Sequence, residues 1–245
     1  MFFDQQEFDI RCEWGERGVA TLAPISDIVI IVDVLSFSTS VDIAVHQGAV
    51  VFPYRWKDDT AAEFAVSVNA ELADPKRTNS RYSLSPQSLL QIQPGTQIVL
   101  PSPNGATLTL AAKPTPVLVG CLRNAQAVAL VAKKYGSRIA VIPAGERWRD
   151  DLSLRPSFED LIGAGAIISY LSGKLSPEAV SAVAAFQVAK SGLSESLRQC
   201  SSGKELIERG FSEDVSLASQ LNASDCAPIL IDAAFVRAEA KAQPG

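Results

Sequence analysis

The chain has 245 residues, of which 47% are hydrophobic and 20% charged, and its formal net charge is −5. These proportions describe an ordinary globular protein with a sizeable core, and the acidic balance excludes a broad surface for nucleic acid or anionic membrane. An anionic ligand would have to be held locally, by a metal, an arginine or helix N-termini.

The first residues, MFFDQQEFDIRCEWGERG, carry acids where a secretory signal would be basic, and they lack an apolar core. No run approaches the roughly 18 uninterrupted apolar residues of a membrane span, so a cytoplasmic protein without a membrane partner is expected. Cys12, Cys121, Cys200 and Cys226 are far apart and form no CxxC pair, which predicts reduced, mostly buried thiols.

In chain order, apolar runs predict strands near 27–33, 49–54, 97–101, 116–120, 138–143 and 229–232. Helix-period segments lie near 38–47, 59–71, 105–112, 124–135, 158–172, 177–189, 191–200, 203–209 and 213–221. Several strand candidates are apolar throughout, which suits strands covered on both faces. The alternation predicts an α/β fold: a three-layer α/β/α sandwich with a parallel or mixed central sheet and a helix-rich C-terminal part. The expected organisation is a single domain over 1–245, with room for two lobes divided near 175. The polar segment 74–96 (DPKRTNSRYSLSPQSLLQIQPGT) reads as a long surface loop with one short helical turn. SPEAV at 176–180 and SEDVSLASQL at 212–221 offer serine caps with an acid in the first turn.

Four places share one design, in which an apolar strand ends and a polar or small-residue turn opens a helix. They are VDVLSFSTS (32–40), LPSPNGATL (100–108), VGCLRNAQA (119–127) and VIPAGERWRD (141–150). In open α/β sheets, ligands bind outside the carboxyl ends of strands, so these turns are expected to converge. Asp33 ends the run Ile28–Val32, and an unpaired carboxylate there would be costly to bury. It reads either as a metal ligand or nucleophile, or as part of a self-capping turn with Ser36 and Ser38. Ser102 and Asn104 in PSPNG, with the exposed N–H groups before helix 105–112, read as an oxyanion cradle or a plain turn. Glu146 follows a strand, and Ser157 reads as an N-cap with Glu159 and Asp160 in the first helical turn. Those acids either complement the helix dipole or, with Asp33 or Glu146, hold a hard cation such as Mg²⁺. Gly163 and Gly165 read as close-packing positions.

Among Arg123, Arg147, Arg149 and Arg155, Arg123 carries most weight because it stands beside a helix start, the others reading as solvated. His46, the sole histidine, reads as a helix C-terminal residue, and without a GxSxG elbow a Ser-His-Asp hydrolase is excluded.

Taken together, IVDVLSFSTS (31–40), SPNGATL (102–108), RNAQAVA (123–129), IPAGE (142–146) and FEDLIGAGAII (158–168) resemble the 2-phosphosulfolactate phosphatase (ComB) family. GKELIERGFSEDVSLASQLNASDCAPIL at 203–230 adds that family's helical ending. The resemblance implies a Mg²⁺-dependent phosphatase that hydrolyses (R)-2-phospho-3-sulfolactate to 3-sulfolactate and phosphate, a step toward coenzyme M. It nominates Asp33, Ser38, Thr39, Asn104, Gly105, Asn124, Glu146, Glu159 and Asp160 around the site, without assigning their individual roles. Combined with the reading of the turns, Asp33, Ser38, Thr39, Asn104 and Glu146 are the expected catalytic residues, and Ser102, Gly105, Arg123 and Asn124 the expected substrate-binding ones. On grounds of charge, Asp33, Glu146, Glu159 and Asp160 are the candidate metal ligands. One departure is that the family pattern commonly carries an arginine after the DVL segment, where this chain has Ser36-Phe37. The expected partner is a small anionic phosphomonoester, and a homodimer is admitted.

For the nucleophile, water and Asp33 both fit. Water is preferred, because the second acid of the DxD start in haloacid-dehalogenase phosphatases is replaced here by Leu35. The alternatives to phosphosulfolactate turnover are a phosphatase of another small phosphomonoester and a non-catalytic anion-binding protein on the same fold.

Overall fold

The computed structural model describes residues 2–55, 58–74, 77 and 81–238. Its strands are β1 Ile10–Cys12, β2 Ile28–Val32, β3 Val50–Tyr54, β4 Glu71–Leu72, β5 Gln97–Pro101, β6 Val117–Gly120, β7 Ile139–Pro143, β8 Glu146–Arg147, β9 Leu154–Arg155, β10 Pro228–Ile231 and β11 Ala234–Arg237. Its α-helices are α1 Gly15–Leu22, α2 Phe37–His46, α3 Thr60–Ser67, α4 Gly105–Ala111, α5 Ala125–Ala132, α6 Phe158–Ile168, α7 Pro177–Ala189, α8 Leu193–Gln199, α9 Ser201–Glu208 and α10 Ser212–Ala218.

Nine strands form one mixed sheet in the order β1-β7-β2-β6-β10-β11-β3-β5-β4, and β8 and β9 form a separate two-stranded ribbon. The neighbours within β1-β7-β2-β6 and within β3-β5-β4 are parallel. The β10–β11 hairpin joins these groups through antiparallel pairings. The group containing β5 therefore runs opposite to the group containing β2. Five strand-to-strand steps at roughly 20–25° of twist each rotate β5 by about 100–125° against β2. That rotation lets the turn after β5 meet the turn after β2, where a flat sheet would hold them on opposite edges.

β2 shows why the expected three layers form. All five of its side chains are fully buried, as their β-branched character predicts. Ile28, Ile30 and Val32 face one core with residues of α5, α6 and α7, such as Val128, Ile167 and Phe186. Val29 and Ile31 face the other core, with residues of α1, α2 and α4 such as Leu22, Val41 and Leu108. Burial of each such side chain stabilises the fold by roughly 1.5–3 kcal/mol. The close-packing reading of the α6 glycines also holds. A Cβ on Gly165 would stand 2.0 Å from the Ala182 carbonyl oxygen of α7, and one on Gly163 would stand 2.6 Å from Val34.

The predicted strands all occur, and α2 to α10 match the nine predicted helices with ends that agree or differ by one to four residues. The strands β1, β4, β8, β9 and β11 and the helix α1 were not predicted. Each of these strands has two to four residues, too few to show alternation, and α1 opens with two glycines in its first four positions. In 74–96 the short helical turn is a 3-10 turn at Pro86–Leu89, while 75, 76 and 78–80 lie outside the described residues. Ser176 caps α7 by accepting the Ala179 N–H at 3.2 Å. The cap expected from Ser212 is corrected: Phe211 stands at the N-cap of α10, without a side-chain cap bond. No helix of the described residues is long and apolar enough to cross a membrane.

Candidate active site

The turns after β2, β5 and β7 open onto one cavity of about 710 Å³. Asp33, Ser36, Ser102, Asn104 and Glu146 line it. Asp33 is 5% exposed, and its Oδ2 accepts the Gly105 N–H at 2.8 Å. The preceding residue, Asn104, donates from Nδ2 to Glu146 Oε2 at 3.0 Å. Two successive residues at the start of α4 thus hold carboxylates from two different strand ends. A side chain at 105 is sterically forbidden here, since its Cβ would stand 2.2 Å from the Phe37 ring and 2.8 Å from Asp33 Oδ2.

The hydroxyls after β2 build the turn. Ser38 Oγ accepts the Asp33 N–H at 2.8 Å, and Thr39 Oγ1 donates to the Val34 carbonyl at 2.8 Å. Ser38 and Thr39 are fully buried, so both position Asp33 from behind. Ser36 is the hydroxyl of this turn that faces the cavity, and it accepts from Arg77 at 3.0 Å. Arg77, from the 74–96 loop, thereby sets a guanidinium against the Ser36 that follows the DVL segment. Arg77 is oriented in turn by buried Asp214 at 2.8 Å and by the Phe211 ring, 5.3 Å from its guanidinium. Burial lowers the Arg77 pKa, while the Asp214 charge counters that effect.

Asp160 and Glu159 differ in role. Asp160 Oδ1 accepts the Val34 N–H at 2.7 Å, while Oδ2 accepts the Gly145 N–H at 2.9 Å and the Ser157 hydroxyl at 2.8 Å. Both oxygens thereby brace the β2 and β7 turns against each other, which leaves Asp160 poorly placed to ligate a metal. Burial, Asp33 and Glu159 raise its pKa well above the usual carboxylate range. Glu159 is 2% exposed and is not among the residues that line the cavity, and its charge adds to this cluster. Glu146 is pushed up to about 7 by burial and by the charges of Asp33 and Glu159.

The fourth strand-end turn goes elsewhere. Asn124 Oδ1 accepts the Cys121 N–H at 2.8 Å, a fully buried cap of the β6 turn. Arg123 donates to buried Asp42 at 3.1 Å and also meets Gln220 and the Leu217 carbonyl. Segment 217–224 covers this turn, with the N–H groups of Asn222 and Ser224 donating to the carbonyls of Leu122 and Arg123. Arg123 and Asn124 are therefore not brought to the cavity. Its cationic wall instead comprises Arg77, Arg147, Arg149, Arg155 and Arg209. The thiols are all free, and burial pushes each up to about 12, in keeping with inert cysteines.

Among the described residues, no three His, Cys, Asp or Glu side chains group as a preformed metal cage. Mg²⁺ does not need one, since it usually keeps several waters and takes one or two carboxylates plus substrate phosphate. Asp33 and Glu146 supply two such hard oxygen donors to one cavity.

The twisted α/β sandwich thus gathers two carboxylates at its strand ends under a wall of arginines. The profile of the 2-phosphosulpholactate phosphatase family matches residues 19–233, and the chain belongs to that family. It is 30% identical over 138 residues to a 2-phosphosulfolactate phosphatase of Methanothermobacter thermautotrophicus, covering 56% of this chain and 58% of that one. It is 34% identical over 137 residues to a probable 2-phosphosulfolactate phosphatase of Carboxydothermus hydrogenoformans, covering 55% of each chain. A probable 2-phosphosulfolactate phosphatase of Gloeobacter violaceus is 30% identical over 137 residues, with 55% of each chain covered. The matches thus span little more than half the length of these curated relatives.

Proposed function

We propose that the chain is a Mg²⁺-dependent phosphoric monoester hydrolase that converts 2-phospho-3-sulfolactate to 3-sulfolactate and phosphate. The observation that carries the reading is the pairing of Asp33 and Glu146 by Gly105 and Asn104 at the mouth of an arginine-lined cavity. Family membership and the names of the relatives support the substrate.

Asp33 and Glu146 are the residues that would hold Mg²⁺, and a bound ion would supply neutralisation of negative charge on the phosphate oxygens. The Ser38 bond to the Asp33 N–H and the Asp160 brace keep the Asp33 backbone fixed during turnover. Ser102 and Asn104 present hydrogen-bonding groups to the phosphoryl oxygens from the β5 turn. Arg77, seated on Ser36 beside the end of β2, offsets the negative charge of phosphate. Water is the nucleophile, because Leu35 occupies the position where a second acid would support attack by Asp33.

The test is phosphate release from racemic phosphosulfolactate and from a panel of other small phosphomonoesters, each with Mg²⁺ and with EDTA. Preference for phosphosulfolactate is the expected result. Faster turnover of a different ester would reassign the substrate, and metal-bound but inactive folded protein would indicate a binding protein.

A further inference from the structure

Four of the five cavity arginines have an acid at ion-pair distance. Arg77 meets Asp214 at 2.8 Å, Arg147 meets Glu16, and Arg149 and Arg209 share Glu205 at 3.4 and 3.7 Å. Among the described residues, Arg155 meets no acid at that distance. Its guanidinium donates to Ser202 Oγ at 3.3 Å and lies 5.8 Å from the centre of the Trp148 ring. Arg155 is half-buried, so its fork of donors is held in place while its charge lacks a close counter-ion. Its position along the chain also matters. In the β8–β9 ribbon Arg155 pairs directly with Glu146, so one short ladder carries both a carboxylate of the reacting centre and this cation. Ser202, which shapes the facing wall from the first turn of α9, keeps its own hydroxyl proton available for a second acceptor.

We propose that Arg155, with Ser202 beside it, is the subsite for an oxyanion of the substrate other than the phosphate that is cleaved. That oxyanion is a carboxylate or a sulfonate on the same small molecule. The inference rests on reading the cavity as a phosphatase site, and it names the residue that selects acid-bearing phosphomonoesters over neutral ones. The competing role is that of a distant counter-charge to Glu146, whose field Arg155 reaches without forming an ion pair.

The test measures kcat and KM for wild type, Arg155→Met and Arg155→Lys on phosphosulfolactate, phospholactate and isopropyl phosphate. The last of these carries no second anion. A charged hydrogen-bonded contact of this kind corresponds to roughly 10- to 100-fold in binding. Arg155→Met should therefore raise KM for the acid-bearing esters by about that factor and erase their kcat/KM advantage over isopropyl phosphate. Arg155→Lys should recover part of it. A loss on phospholactate assigns the carboxylate, and a loss confined to phosphosulfolactate assigns the sulfonate. An equal loss in kcat on all three esters, or an unchanged advantage, would overturn the proposal in favour of the counter-charge or of no role. Calorimetry with 3-sulfolactate, which needs no turnover, separates this inference from the phosphatase reading. Binding weakened tenfold or more in Arg155→Met supports the subsite even if phosphate release fails, whereas equal binding by both proteins overturns it.

Discussion

Asp160 separates a structural brace from a metal ligand, because the two roles predict opposite signs in stability. As a brace, its carboxylate accepts the buried Val34 and Gly145 N–H groups and the Ser157 hydroxyl. Asp160→Ala leaves two buried backbone donors without acceptors, at about 1–3 kcal/mol each. Removing a carboxylate that is buried and repelled by Asp33 and Glu159 returns part of that cost. The net loss should be about 2–5 kcal/mol, which for a chain of this size lowers Tm by roughly 5–15 °C. Asp160→Asn keeps an acceptor for one of the two N–H groups and should lose about half as much. The assay is urea and thermal unfolding in EDTA, so that metal binding does not contribute. If Asp160→Ala proves as stable as wild type or more so in EDTA, and only its metal affinity falls, the brace is refuted and Asp160 is a ligand after all.

Other outcomes follow from the same geometry. Gly105→Ala should cost about 1–3 kcal/mol and most of the activity, because its Cβ meets Phe37 and Asp33 Oδ2; phosphate release and urea midpoints check both. Gly165→Ala should lower stability by a similar amount despite better helix propensity, since its Cβ would strike the Ala182 carbonyl. In contrast to Gly105→Ala, it should keep its kcat below its melting range. The folded pKa of Glu146, about 7, lies above its ordinary value of 4.5. The linked stability is therefore fully present below about pH 4.5 and is lost as pH rises through about 7. The ceiling is about 3 kcal/mol, less whatever solvent screens in a half-buried group. Urea midpoints in EDTA from pH 4 to 8 should show this fall in wild type and lose it in Glu146→Gln, and Mg²⁺ should stabilise wild type more at pH 8 than at pH 5.

The parts of the fold written in local pattern were legible. A run such as Ile28–Val32 can form only a buried strand, and the polar turns that follow strands mark where a sheet opens to ligands. Asp33, Ser102, Asn104 and Glu146 could be gathered from those turns because each lies within a few residues of a strand end. Convergence itself is tertiary, and it brought three turns together while segment 217–224 covered the fourth, with Arg123 and Asn124. The hydroxyls of Ser38 and Thr39 were visible in sequence, but their inward orientation is set by the first turn of α2. The cationic wall was the least legible part. Arg77 lies in a polar loop and Arg155 among other arginines, and nothing local distinguishes them from solvated side chains. Their partners Ser36 and Ser202 are 41 and 47 residues away.

The central claim is that Asp33 and Glu146 form one metal-dependent phosphatase centre. Phosphate release from phosphosulfolactate by wild type and Asp33→Asn, each with Mg²⁺ and with EDTA, tests it most directly. The account predicts turnover by wild type in Mg²⁺, abolished by EDTA and reduced at least a hundredfold by a substitution that removes the charge while nearly preserving shape. Turnover that persists in EDTA and in Asp33→Asn would contradict it.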